Sequence, residues 1–184
     1  MRGLKYMGTL RNVLQNDLTS EYIHYIDSPL GRIMVSGKGD ALTGLWFAGQ
    51  KYFAETLRQQ AEEKYLPVFA RTEEWLKAYF SGTDPGFTPK LAPRGTEFRK
   101  EVWDILLTIP FGETLTYGGI AAVIAERRGQ PHFSAQAVGG AVGHNPISLI
   151  IPCHRVIGAA GELTGYAGGL DRKEALLRLE KTLR

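Results

Sequence analysis

Two neighbouring residues, Cys153 and His154, offer nucleophilic chemistry. Cys153 is the only cysteine in the 184-residue chain. A thiol becomes a strong nucleophile when a base such as imidazole removes its proton. Adjacent residues on extended backbone face opposite ways, so a contact between these side chains requires a bend or a bridging water. A buried, unreactive thiol is the alternative, because free cysteines are among the most buried residues in proteins.

The segment before Cys153 predicts how the thiol is positioned. Residues 147–151 form an apolar run that predicts a short buried strand. Pro152 ends this strand, because proline has no N–H to donate to a neighbouring strand. We therefore expect the thiol to lie on a constrained loop at the end of a rigid element, which is a common position for catalytic nucleophiles.

The composition predicts a globular protein without a metal or another cofactor. Hydrophobic residues make up 43% of the chain and the net charge is +3, which by itself does not indicate a nucleic-acid binder. No apolar run approaches the roughly 18 residues of a membrane span, and the N-terminus does not resemble a signal peptide, so we expect a cytoplasmic location. A single cysteine excludes an internal disulfide and a cysteine-rich zinc site.

The first part of the chain predicts a small α/β unit. Three short segments rich in β-forming residues are separated by turn clusters and predict an antiparallel sheet: residues 22–26, 32–36 and 42–47. Helix-forming residues follow at 52–64 and at 72–80, whereas residues 1–20 show no clear periodicity. Three prolines within residues 83–94 predict a linker. We therefore place two domains at residues 1–90 and 91–184.

The second part of the chain predicts four helices. Threonine, serine or aspartate precedes each of them as a candidate N-cap: Thr96 before a helix to Thr108, Thr116 before 117–127, Ser134 before 135–143, and Asp171 before 173–183. The helix pattern alone favours a solvated flank for Glu180 over a buried partner. Residues 135–143 contain interior glycines, each of which costs about 1 kcal/mol relative to alanine. Either a DNA-binding helix-turn-helix or close packing against another helix explains them.

Several ordered motifs resemble those of the O6-alkylguanine-DNA alkyltransferases. They lie around the cysteine and in the preceding helices: residues 109–114, 137–141, 143–146, 152–156 and 165–169. The resemblance is dense over residues 94–182 and covers the first part only in outline. It implies an α+β protein of two domains, a ribonuclease-H-like N-terminal domain and a winged-helix-like domain with a helix-turn-helix.

The resemblance also implies an activity, namely direct repair of double-stranded DNA by a monomer. An alkyl group is transferred irreversibly from guanine O6, and also from O4-alkylthymine, to Cys153. By similarity, His154 takes the thiol proton through a water and Glu180 orients the imidazole. Asn145 holds the nucleophile turn. The thioether that forms does not hydrolyse, so one protein repairs one lesion.

DNA contacts follow from the same resemblance. The damaged base leaves the helical stack, and Tyr117 donates a hydrogen bond to the departing guanine. Gln136 stands where the best-known members carry an arginine that fills the gap, which implies somewhat lower affinity. The remaining residues implied in DNA or base binding are Gly118, Ala137, Gly139, Val156, Tyr166 and Ala167.

Two other functions compete with alkyl transfer. A non-catalytic sensor would bind alkylguanine in DNA without reacting, but relatives of that kind lack the cysteine that is present here. A Cys-His-Glu hydrolase would form a thioester and turn over repeatedly, whereas an alkyltransferase stops after one equivalent.

Overall fold

A four-stranded sheet forms the N-terminal half of the protein. The computed structural model describes residues 20–57 and 61–182. The elements of this half are β1 (Tyr22–Ile26), β2 (Ile33–Lys38), β3 (Ala41–Phe47), β4 (Glu62–Glu63) and the helix α1 (Pro67–Phe80). The order of strands in the sheet is β3-β2-β1-β4, and the pairing is antiparallel except between β1 and β4. Three of these strands were predicted from the sequence. Residues 1–20, which show no clear periodicity, lie outside the described residues except for Ser20.

The helix predicted at residues 52–64 was wrong. Residues 51–57 form turns, and β4 occupies Glu62–Glu63. Tyr52 and Ala54 have φ angles of 59° and 56°, which no right-handed helix contains. The backbone N–H of Lys51 donates instead to the carbonyl of Ala167, at 2.9 Å. The local helix propensity is thus overridden in a segment whose first residues are tied to a distant part of the chain.

Helices dominate the C-terminal half. They are α2 (Glu97–Leu106), α3 (Tyr117–Arg127), α4 (Ala135–Gly143) and α5 (Leu170–Leu179), with a 3₁₀ turn at Cys153–Arg155 and two short parallel strands, β5 (Leu115–Thr116) and β6 (Val156–Ile157). Thr96, Thr116 and Ser134 cap α2, α3 and α4 through their side-chain oxygens, as predicted. The predicted start of α5 was wrong, because the N-cap is Gly169 rather than Asp171.

The strand predicted at residues 147–151 is a turn instead. Ile147 makes a single bridge to Leu45 of β3, and the N–H of Ile151 then donates back to the carbonyl of Ile147 at 3.1 Å. Leu149 adopts a φ of 68° within this turn. The five residues are nevertheless buried, as the apolar run predicted. Burial was thus readable from composition, whereas the backbone path was not.

The two halves share a hydrophobic core. Buried side chains of β3, such as Leu45 and Phe47, belong to one cluster with Trp103 of α2 and with Leu149. Leu45 also exchanges backbone hydrogen bonds of 2.9 Å with Pro146 and Ser148. Since these contacts flank the segment leading to Cys153, the sheet positions the reactive loop. The overall class is α+β, as predicted, and the boundary near residue 90 stays a prediction.

The described helices are too short or too polar for a membrane span. None of those in residues 20–57 and 61–182 is both long and apolar enough to cross a bilayer.

Candidate active site

Cys153 lies at the start of the 3₁₀ turn, with only 3% of its surface exposed. Burial raises the pKa of the thiol, while a hydrogen bond from Asn145 and the charge of Lys173 act in the opposite direction. The resting side chain is therefore a neutral thiol. A nearby base must remove its proton before it can react.

Asn145 holds both the thiol and the turn that precedes it. Its Nδ2 donates to Cys153 Sγ at 3.1 Å, to the carbonyl of Ile151 at 2.8 Å and to that of Ile147 at 3.3 Å. Its Oδ1 accepts from the N–H of Ile147 at 3.0 Å. One buried amide thus replaces the hydrogen bonds that a neighbouring strand would supply, and it fixes the sulfur relative to the backbone.

His154 and Glu180 form a buried pair next to the cysteine. Nε2 of the imidazole lies 2.7 Å from Oε1 of Glu180. Although burial alone would raise it, the hydrogen bonds and charges of His154 and Arg155 lower the pKa of Glu180 from 4.5 to about 2. Because an ionised carboxylate only accepts hydrogen bonds, Nε2 carries the proton and Nδ1 carries the lone pair. Burial lowers the pKa of His154, so the ring is neutral at rest.

Glu180 is the centre of a larger buried network. Arg155 donates to its two oxygens at 2.9 and 3.1 Å, the Tyr79 hydroxyl donates at 2.6 Å, and the N–H of Gly112 donates at 3.1 Å. The solvated flank favoured by the helix pattern was wrong, because Glu180 is only 3% exposed. Helix α5 ends at Leu179, and Glu180 follows it as the C-cap.

Tyr117 and Tyr166 are the two tyrosines that the sequence predicted to contact the base. Burial raises the pKa of both hydroxyls, and Cys153 raises each further when it is ionised, so both stay protonated. The Tyr117 hydroxyl donates to the carbonyls of Thr164 and Gly165 at 3.2 and 3.1 Å. The Tyr166 hydroxyl is buried without a hydrogen-bond partner among the described atoms, so it is available to a bound molecule.

A cavity of about 400 Å³ lies between α4, the loop at residues 165–167 and the segment after β3. Three residues predicted to bind the base, Gly139, Tyr166 and Ala167, line it. The remaining predicted residues lie outside its lining. Gly118, Gln136 and Ala137 are exposed near the starts of α3 and α4, and Val156 is buried in β6.

Both halves of the chain match models of one protein family. Residues 22–93 match the 6-O-methylguanine DNA methyltransferase, ribonuclease-like domain, and residues 97–182 match the DNA binding domain of the same family. The chain belongs to the 6-O-methylguanine DNA methyltransferase family. The ribonuclease-like description agrees with the fold predicted for the N-terminal half.

Individual members of the 6-O-methylguanine DNA methyltransferase family are similar over most of their length. The methylated-DNA–protein-cysteine methyltransferase of Mycobacterium tuberculosis (strain H37Rv) is 48% identical over 165 residues, which are 87% of this chain and 93% of the relative. That of Methanosarcina mazei is 48% identical over 160 residues, or 87% and 97%. The crystal structure of M. tuberculosis OGT in complex with DNA has 45% identity, 88% and 93% coverage and a TM-score of 0.74.

Three residues that surround the cysteine, the histidine and the glutamate were missed from the sequence. Tyr79 comes from α1, in the other half of the chain, and no local pattern connects it with Glu180. Arg155 lies within the cysteine motif, which was a usable signal. Lys173 is fully buried, and its Nζ donates to the carbonyls of Val156 and Thr164, both at 2.5 Å. Burial lowers the pKa of Lys173 to about 8.

The described residues offer no evident metal site. Within residues 20–57 and 61–182, no group of three or more histidine, cysteine, aspartate or glutamate side chains is arranged to hold an ion.

Proposed function

We propose that this protein repairs DNA by transferring an alkyl group from guanine O6 to the sulfur of Cys153. The observation that carries the proposal is the thiol itself, held by Asn145 at 3.1 Å and directly followed by a buried histidine–glutamate pair. The names of its relatives, methylated-DNA–protein-cysteine methyltransferases, support the same reaction.

His154 activates the thiol. Nδ1 carries the lone pair and is buried without a partner among the described protein atoms. It takes the proton of Cys153 through a bridging water, since adjacent residues cannot easily make a direct contact. The ionised Glu180 stabilises the imidazolium that forms. The amide of Asn145 and the ammonium of Lys173 stabilise the thiolate.

The thiolate then displaces guanine at the alkyl carbon. A sulfur–carbon bond forms, the bond from carbon to O6 breaks, and its electron pair passes to the purine. The protonated hydroxyl of Tyr117 turns from the carbonyls of Thr164 and Gly165 and donates a hydrogen bond to the base as this charge develops. The resulting thioether contains no carbonyl for water to attack. Each protein molecule therefore reacts once, and O4-alkylthymine is a second substrate by the same chemistry.

Helices α3 and α4 supply the DNA-binding surface as a helix-turn-helix. Glycines and alanines leave the exposed part of α4 small enough to approach a duplex closely. Gln136 fills the space of the everted base. Double-stranded DNA carrying O6-alkylguanine is thus the proposed partner. The monomeric state and the cytoplasmic location stay predictions.

The reaction predicts a change in mass. After incubation with a duplex containing one O6-methylguanine, the intact protein should gain one methyl group and no more, even with excess duplex. Peptide mapping should place the methyl on Cys153. An unmodified protein would contradict the proposal. Continued release of product after one equivalent would contradict a reaction that consumes the cysteine.

Gln136 should matter for duplex DNA but not for a free base. Gln136→Ala should slow methyl transfer from duplex roughly tenfold, because the gap left by the everted base loses its filler. Gln136→Arg should tighten duplex binding several-fold and make it more salt-dependent, since it adds a charge near the phosphates. The rate with free O6-methylguanine serves as the control, and an equal loss with the free base would contradict this role.

A further inference from the structure

The N-terminal half contributes a wall to the cavity between α4 and residues 165–167. We call residues 50–54, which follow β3, the strap. Gln50 is buried, and its Oε1 accepts from the N–H of Phe47 at 2.8 Å and from the Ser148 hydroxyl at 3.2 Å. The N–H of Lys51 donates to the carbonyl of Ala167 at 2.9 Å. The strap is thus fastened to the turn before Cys153 and to the loop that lines the cavity.

The strap holds its aromatic residue in a costly conformation. Tyr52 and Ala54 both have left-handed backbone angles, φ 59° and 56°, although neither is a glycine. Such a conformation costs of order 1–3 kcal/mol and persists only where surrounding contacts hold it. Non-glycine residues of this kind are concentrated at active sites and ligand-binding sites.

The Tyr52 ring stacks on His144, which follows α4. The two ring centroids lie 4.0 Å apart and the planes differ by 24°. His144 is in turn fixed by its Nδ1, 2.7 Å from the carbonyl of Gly140. The ammonium of Lys51 lies 4.8 Å from the centre of the Tyr52 ring. Both Tyr52 and His144 line the cavity, so the stacked pair forms a fixed aromatic wall.

We propose that Tyr52 is a specificity-determining residue that limits the size of the O6 substituent. The inference rests on the proposed function, since it assigns the everted alkylguanine to this cavity. A volume of about 400 Å³ is near the lower end of the range for small-molecule sites. One large side chain in the wall therefore decides whether a substituent much bigger than methyl fits beside the base.

Two substrates and two variants test this role. The rate of Cys153 alkylation is measured by intact mass with duplexes that carry either O6-methylguanine or O6-benzylguanine. Tyr52→Ala, which opens the wall and keeps the backbone strain, should raise the benzyl-to-methyl rate ratio by about tenfold. Tyr52→Phe keeps the ring and should leave the ratio within about twofold of the unmodified protein. An unchanged or lowered ratio in Tyr52→Ala overturns the proposal.

The same experiment separates this inference from the proposed function. If the unmodified protein gains no methyl group, the proposed function fails. If it reacts but the benzyl-to-methyl rate ratio is the same in Tyr52→Ala, only the inference fails. Tyr52 is half-buried, so its truncation should preserve the fold, which thermal melting checks. His144→Ala removes the stacking partner from the other side and should also raise the ratio. A raised benzyl-to-methyl ratio in both alanine variants supports the proposal, whereas an unchanged ratio in either one of them overturns it.

Discussion

Replacing Cys153 with serine is expected to abolish alkyl transfer while leaving the protein folded and able to bind alkylated duplex. A serine hydroxyl is far less acidic than a thiol, and the neutral His154 is too weak a base to ionise it. The smaller side chain still accepts the hydrogen bond that Asn145 now gives to sulfur. We expect the rate to fall at least roughly 10⁴-fold, as for loss of other catalytic nucleophiles.

Intact mass and fluorescence anisotropy together measure this outcome. Cys153→Ser should gain no methyl group after long incubation. Its Kd for duplex with O6-methylguanine should stay within a few-fold of the Kd of the unmodified protein before alkylation. Cys153→Ala is the matched control without any hydroxyl. Methyl transfer to another residue of either variant would contradict the assignment of the nucleophile. A non-catalytic sensor predicts binding without transfer in the unmodified protein as well.

Local chemistry explains what could be predicted from the sequence. The helix caps at Thr96, Thr116 and Ser134 were correct because each side chain satisfies an N–H only three residues away. The three strands predicted in the N-terminal half were correct because β-forming residues lie between turn clusters. Cys153 was identifiable because the chain has no other thiol, and the ordered motifs around it indicated the family.

Long-range contacts explain what could not be predicted. Residues 52–64 carry helix formers, but residues 51–57 form turns instead. The N–H of Lys51, at the start of these turns, donates to the carbonyl of Ala167, more than a hundred positions away. The prediction of a solvated position for Glu180 was wrong because Tyr79 and Arg155 both donate hydrogen bonds to its carboxylate. Neither contact leaves a periodic signal in the chain. The position of the Tyr52 wall is hidden from sequence patterns for the same reason.

Lys173 illustrates a weaker kind of signal. A cation in the first turn of a helix opposes the helix dipole, so the position is unusual for a lysine without a partner. The structure supplies the reason, since Nζ bonds the carbonyls of Val156 and Thr164, two residues that flank the loop beyond the cysteine. Its charge also lowers the pKa of Cys153. The sequence alone could mark the residue as odd but could not show what it contacts.

Replacing Glu180 with glutamine is expected to slow alkyl transfer and to destabilise the protein. The change keeps the shape but removes the charge that stabilises the His154 imidazolium, so we expect a rate loss of roughly 10²–10⁴-fold. Arg155, which is only 8% exposed, would lose its counterion. Breaking a buried ion pair in this way costs about 3–5 kcal/mol. Single-turnover kinetics and urea unfolding at pH 7 measure the two effects.

The pKa of Glu180 predicts how the stability difference depends on pH. The folded value of about 2 lies below the ordinary 4.5. At about 1.4 kcal/mol per pKa unit, the ionised carboxylate contributes roughly 3 kcal/mol above pH 4.5. This contribution is lost as the pH falls from 4.5 towards 2, because the unfolded chain binds the proton first. The gap between the unmodified protein and Glu180→Gln should therefore be largest at neutral pH and shrink in acid.

Glu174→Gln is the matched control on the same helix. Glu174 is half-exposed and pairs with Arg178 one turn along α5, at 2.8 Å. An exposed pair of this kind contributes about 0.3–0.5 kcal/mol, so its loss should change neither the rate nor the acid sensitivity noticeably. Equal behaviour of the two variants would contradict the buried network. A stability gap for Glu180→Gln that persists unchanged at pH 3 would show that packing, rather than the ionised carboxylate, accounts for the loss.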